Sequence, residues 1–265
     1  MDRIDAGSNA IAITAGGAIT DGNSWIKADG NEEENLVGGA ITLQAASGIG
    51  KPDGTADIDT AVTSIDARTG SGGIFIDETD DLALGRVDAG TGDIIVKAGG
   101  AIGDNTAVEG AGNENLVGGD ISLTAASGIG VPGGAADIDT AAARIDAQTT
   151  SGGIFIDEAD AVTLASTTGI SAAAKGDIEI TAGGEMIVAA GGVQAFASGD
   201  IRLTTTAGDL VVGGEVAMDS GDLELTASGA IRHAEGGLLR TRSDNQGTLA
   251  GPCAAWPSAR RIPRS

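Results

Sequence analysis

The chain repeats itself, and that property limits its fold more than any single motif does. Residues 35–79 align with 115–159 without a gap at an offset of 80. Asn35-Leu36-Val37-Gly38-Gly39 returns as Asn115-Leu116-Val117-Gly118-Gly119, and Ser71 through Glu78 returns as Ser151 through Glu158. Residues 3–21 align in the same way with 86–104, at an offset of 83. Tandem similarity of this kind marks an architecture whose units bury their apolar faces only by stacking on their neighbours.

A shorter unit lies inside the long copies: a glycine-containing turn, then an aliphatic residue, any residue, and a second aliphatic. Its first aliphatic falls at Ile11, Ile41, Ile74, Ile94, Ile121, Ile154, Ile178, Ile201 and Leu223. After Ile154 the steps are 24, 23 and 22 residues, and each contains two further apolar patches, such as Met186-Ile187-Val188 and Val193-Gln194-Ala195. Three strands ended by Gly, Asn or Asp read as one triangular coil. A period of two puts Ile178 and Ile180 inward and Glu179 outward, and glycines suit positive-φ corners. The pattern predicts an all-β, right-handed parallel β-helix over residues 1–250, of roughly ten coils and on the order of 45 Å long. Asp139 through Arg144 could be helical, but the sister segment Asp59 through Ser64 is β-branched and favours strand or loop.

Composition agrees with a narrow core. The chain holds 45 glycines in 265 residues, no Tyr, three Phe and two Trp, while 41% of residues are hydrophobic. A net charge of −23 opposes nucleic acid and anionic lipid, which need a basic patch, and attracts divalent cations only weakly. No apolar run is long enough to span a membrane. With a single cysteine, Cys253, the chain forms no internal disulfide and no thiolate metal site. The N-terminus lacks the basic and apolar regions of a signal peptide, so any export signal is expected outside this chain.

The motifs that carry chemistry elsewhere read here as structure. Gly128-x-Gly130-x-x-Gly133 matches a dinucleotide fingerprint by letter, but it lacks the following helix that receives a pyrophosphate. His233, the only histidine, sits at the end of a short strand. Lys175-Gly176-Asp177 resembles a receptor-recognition tripeptide, yet Gly-Asp also recurs at 92–93, 119–120, 199–200 and 221–222, just before each strand. The best candidate for activity is the carboxylate cluster Asp77, Glu78, Asp80 and Asp81, echoed by Asp157, Glu158 and Asp160. Paired acids on a coil face can act as general acid and base or coordinate Ca²⁺. Duplication in a tandem repeat and placement beside turns favour solvated acidic surface, so no catalytic, cofactor or metal residue is assigned.

The unit Gly221-Asp222-Leu223-Glu224-Leu225-Thr226-Ala227-Ser228-Gly229-Ala230-Ile231 resembles the repeats of filamentous-haemagglutinin-like exoproteins, and the resemblance extends over about residues 3–250. It implies a right-handed β-helical stalk of a large Gram-negative adhesin, secreted or surface-tethered, many of them by two-partner secretion. Its partners would be host-cell, matrix or neighbouring-cell surface components. A carbohydrate-active β-helix enzyme, a lyase or glycoside hydrolase, is the alternative. Arg3-Ile4-Asp5-Ala6 matches Arg144-Ile145-Asp146-Ala147, so the chain is expected to begin partway through a coil of a longer protein. Uncapped ends are expected to self-associate end to end. Residues 251–265, with Pro252, Pro257 and Pro263, are expected to be a disordered non-repeat tail.

Overall fold

The computed structural model describes residues 1–250, apart from 24, 27–31, 53, 109–111, 135 and 242–247. The expected tail at 251–265, with Cys253, lies outside the described residues. All regular secondary structure among the described residues is strand, and the strands pair in parallel into a β-helix of about nine turns, close to the number expected. No described helix is long and apolar enough to cross a membrane.

From Ile154 onward each coil has three faces, as the 22–24-residue steps predict. Ile154–Glu158, Val162–Leu164 and Ile170–Ala172 form one coil. Beneath them lie Ile178–Ala182, Met186–Val188 and Val193–Ala195. Ile178 sits on Ile201 and Ile201 on Leu223, so one branched or γ-branched side chain occupies each rung of a continuous column. Ile178, Ile180, Leu203 and Leu225 are buried while Glu179 and Arg202 point out. Each such side chain contributes roughly 1.5–3 kcal/mol through burial, and the hydrophobic core they join runs from Ile11 to Ala227. Glycines occupy most positive-φ corners, but Ala165, Ala174, Lys175 and Ala197 also adopt φ of 52–73°. A Cβ there costs roughly 1–2 kcal/mol, so these corners carry strain that glycine would avoid.

The middle of the rod departs from three short strands per coil. Ile74 stacks on Ile94, only twenty residues later, and a coil that short drops a corner. Long strands replace corners here: Leu82–Asp88 in that coil, and Ile138–Thr149 in a later one, each run on where a corner would otherwise fall. Ile138–Thr149 stacks on three separate strands below, through Ile138–Ile156, Ile145–Leu164 and Ala147–Ile170.

Where two faces merge, the surplus chain is looped out. Ile49 and Ile58 both sit on the strand Ile74–Glu78, so residues 50–57 leave the coil and return. Residues 130–137 do the same above Ile154–Glu158. The Lys51 amide donates to the Ala56 carbonyl at 2.7 Å, and Val131 to Ala136 at 2.9 Å, closing each loop at its base. Gly50 and Gly130 have φ of +67° and +63°, and a Cβ on either would lie 2.6 Å from the carbonyl oxygen of Phe75 or Phe155. Only glycine fits there. Asn35 and Asn115 tie neighbouring coils together. Both asparagines are fully buried and donate to Asp21 and Asp104 at 2.6 Å. They also accept the amides of Asp59 and Asp139 in the next coil at 3.0 and 2.9 Å.

Candidate functional site

Most of the residues singled out by motif serve the coil. Gly130 is the loop base just described, and no helix follows it, so the glycine triplet does not form a pyrophosphate site. His233 is exposed on the strand Ile231–His233, with its Nε2 against the Gly237 carbonyl. In Lys175-Gly176-Asp177 the aspartate caps the next coil: Asp177 accepts the Asp200 amide at 2.9 Å, and Asp200 accepts the Asp222 amide at 2.8 Å. This chain of aspartate caps is the physical reason for the recurring Gly-Asp.

The acidic cluster divides into groups with different roles. Asp80 and Asp81 are exposed, and Asp81 accepts the Ala101 amide at 2.7 Å. Glu78 and Glu158, expected in solvated turns, are instead only 1% and 3% exposed. Alternation carries the strand Ile74–Glu78 one residue further than the turn reading allowed, and residue 78 therefore faces inward. Glu78 accepts the Thr60 hydroxyl at 2.7 Å and the Val62 amide at 3.1 Å; Glu158 accepts Thr140 and Ala142 at the same distances. Burial pushes both carboxyls up to about 7, against the pull of the threonine hydrogen bonds.

A second acidic group was not singled out in the sequence. Glu32, Asp57 and Asp59 each offer one carboxylate oxygen, and these oxygens lie within 4.8 Å of one another. Asp57 is 3% exposed, held under the 50–57 loop. The Lys97 ammonium lies 3.0 Å from Asp57 Oδ2 and 3.4 Å from Asp77 Oδ2, bridging the two. Burial alone would lower Lys97, but its hydrogen bond to Asp57 and the charges of Asp57 and Asp77 outweigh it and raise the ammonium. Asp77 is raised by burial, with Lys97 pulling the other way. Asp59 is pushed up to about 7 by burial and then by the charges of Glu32, Asp57, Asp77 and Asp21. Chemically the group has two uses: a carboxyl titrating near neutrality can transfer a proton, and converging carboxylate oxygens can hold a hard cation. These side chains come from different coils, which hides them from any local motif. The recurrence of Asp57 and Asp59 as Asp137 and Asp139 was the one signal available in sequence.

Two of the hollows on the described surface lie beside charged side chains. One of about 250 Å³ lies over Thr42, Gln44, Asp66, Arg68, Arg86 and Asp88, on a flat face away from the 50–57 loop. Another of about 190 Å³ lies beneath the 130–137 loop, against Asp137 and Asp157. Compared with known proteins, the chain matches no family model, no curated protein and no solved structure.

Proposed function

We propose that this chain is a structural stalk segment of a secreted or surface-exposed adhesin of the filamentous-haemagglutinin-like kind. The reading rests on the resemblance of the Gly-Asp-Leu-x-Leu-Thr-Ala unit, and one structural observation carries it. The acids most suited to catalysis are taken up by contacts between coils: Glu78 and Glu158 hold the amides of Val62 and Ala142, and Asp177 and Asp200 cap successive turns. Polar chemistry spent on stacking suits a scaffold. The partners of such a segment are components of host-cell, matrix or neighbouring-cell surfaces.

One observation favours the second reading, a carbohydrate-active β-helix enzyme. Asp59 titrates near 7 beside the Asp57–Lys97–Asp77 bridge, an acid poised next to fixed charges. Beads coated with the chain test both readings. The stalk reading expects beads carrying the wild type and the Asp59→Asn variant to attach equally to cells or matrix, with no new ends released from polysaccharide. Polysaccharide cleavage by the wild type that Asp59→Asn abolishes would replace it with the enzyme.

A further inference from the structure

The first long copy gathers three carboxylates from three separate segments. Glu32 belongs to the stretch before Asn35, which folds back so that Ile26 pairs antiparallel with Glu32 and the Glu33 amide donates to the Trp25 carbonyl at 2.8 Å. Asp57 stands at the base of the 50–57 loop, and Asp59 on the strand Ile58–Ala61. One oxygen of each lies within 4.8 Å of the others. At the offset of 80, Asp57 and Asp59 recur as Asp137 and Asp139, but Glu32 corresponds to Gly112. The third acid therefore belongs to the first copy alone. A second, independent observation concerns the bonding of these oxygens. Asp57, 3% exposed, gives Oδ2 to the Lys97 ammonium at 3.0 Å, while its Oδ1 is buried and accepts no hydrogen bond. Asp59 Oδ2 is likewise buried and accepts none. A buried acceptor without a donor is rare in a folded protein, and an ion is one of the few things that accounts for it. Lys97 does not balance the group: its one ammonium faces Asp57 and Asp77, and Glu32 and Asp59 add two further carboxylates.

We propose that Glu32, Asp57 and Asp59 together bind one divalent cation, Ca²⁺ in the first instance, which pins the stretch before Asn35 to the base of the 50–57 loop. The donors are all oxygens, which selects a hard ion over the softer metals that histidine and cysteine hold. Ca²⁺ bonds carboxylate oxygens at roughly 2.3–2.6 Å, so two of its ligands stand at most about 4.6–5.2 Å apart. Three oxygens within 4.8 Å of one another meet that limit. Ca²⁺ also accepts irregular sets of about six to eight oxygens, completed by water, whereas Mg²⁺ demands a near-ideal octahedron. Lys97 keeps Asp57 Oδ2, and the ion takes the oxygen that Lys97 leaves. A site with few protein ligands binds with a Kd on the order of 10⁻⁴–10⁻³ M, the range of extracellular modules. The inference depends on neither the stalk reading nor the enzyme reading.

Equilibrium dialysis with radioactive Ca²⁺, with circular dichroism to verify folding, provides the test. Glu32→Gln keeps the shape of the side chain and removes its charge, so it should weaken binding of one Ca²⁺ per chain by at least about tenfold, the loss typical even of a residue that only supports a ligand. Glu235→Gln removes the same charge from an exposed turn after the strand Ile231–His233 and should alter nothing, which separates a site from counter-ions gathered by net charge. Bound Ca²⁺ should also raise the urea midpoint of the wild type, and raise that of Glu32→Gln less. If Glu32→Gln fails to fold, Asp59→Asn takes its place with the same expected loss. Undiminished binding in folded Glu32→Gln, an equal loss in Glu235→Gln, or no binding by the wild type at Ca²⁺ on the order of 10⁻² M would overturn the proposal.

Discussion

Replacing Glu158 with Gln should make the protein more stable at neutral pH, although Glu158 is a buried, hydrogen-bonded residue. The folded state raises this carboxyl from 4.5 to about 7, chiefly through burial. Between those values the folded chain holds a proton that the unfolded chain has released. Stability from this group is therefore present in full below about pH 4.5 and is lost as pH rises to about 7, the reverse of an acid whose pKa is depressed. At 1.36 kcal/mol for each unit, the loss is at most about 3 kcal/mol. Glutamine keeps an acceptor for the Ala142 amide and turns a donor towards Thr140, as the protonated acid does. Urea unfolding followed by circular dichroism at pH 5 and pH 8 measures the effect. The variant should gain up to about 3 kcal/mol over the wild type at pH 8 and little at pH 5. Comparing variant with wild type at each pH removes the contribution of the remaining acids, including Asp59, which shifts the same way. A variant no more stable than the wild type at pH 8 would refute the reasoning.

Three other perturbations test the frame. Asn115→Ala removes the acceptor of the Asp139 amide and the donor to Asp104 at a fully buried site, and should cost about 2–4 kcal/mol in chemical denaturation. Gly130→Ala forces a Cβ against the Phe155 carbonyl at positive φ, and should lower stability by about 1–3 kcal/mol, whereas Gly133→Ala, with nothing near its Cβ, should cost less. Ile180→Ala opens a gap between two stacked rungs and should cost about 2–5 kcal/mol, measured by the shift in urea midpoint.

The ladders were legible because stacking turns sequence offsets into register. The steps from Ile154 to Ile178, Ile201 and Leu223 are the observed rungs. The merged faces were not legible, because a coil of twenty residues and one of twenty-four show the same glycine and aliphatic signature. Only the pairing of Ile49 and Ile58 onto a single strand reveals which corner has gone. Phe75 shows the same limit. By alternation it points outward, yet it is only 9% exposed. Glu78 was readable in principle: counting inward positions from Ile74 and Ile76 reaches it directly, and its proximity to acidic turn residues obscured the count. The bridge of Asp57, Asp77 and Lys97 depends on three coils meeting beneath a loop, a proximity no window of sequence contains.

The backbone bonds between coils run along the rod, so a pull on its two ends acts head-on against them and does not slide strands past one another. Under tension the rungs would separate coil by coil, each opening only when all of its faces have let go. The coil from Ile178 to Ile201 stores 23 residues, and drawing it straight lengthens the chain by roughly 70 Å. The twenty-residue coil at Ile74 yields less, roughly 60 Å. Stretched in an optical trap, the molecule would extend in a staircase whose step heights spell out the spacing of its repeats.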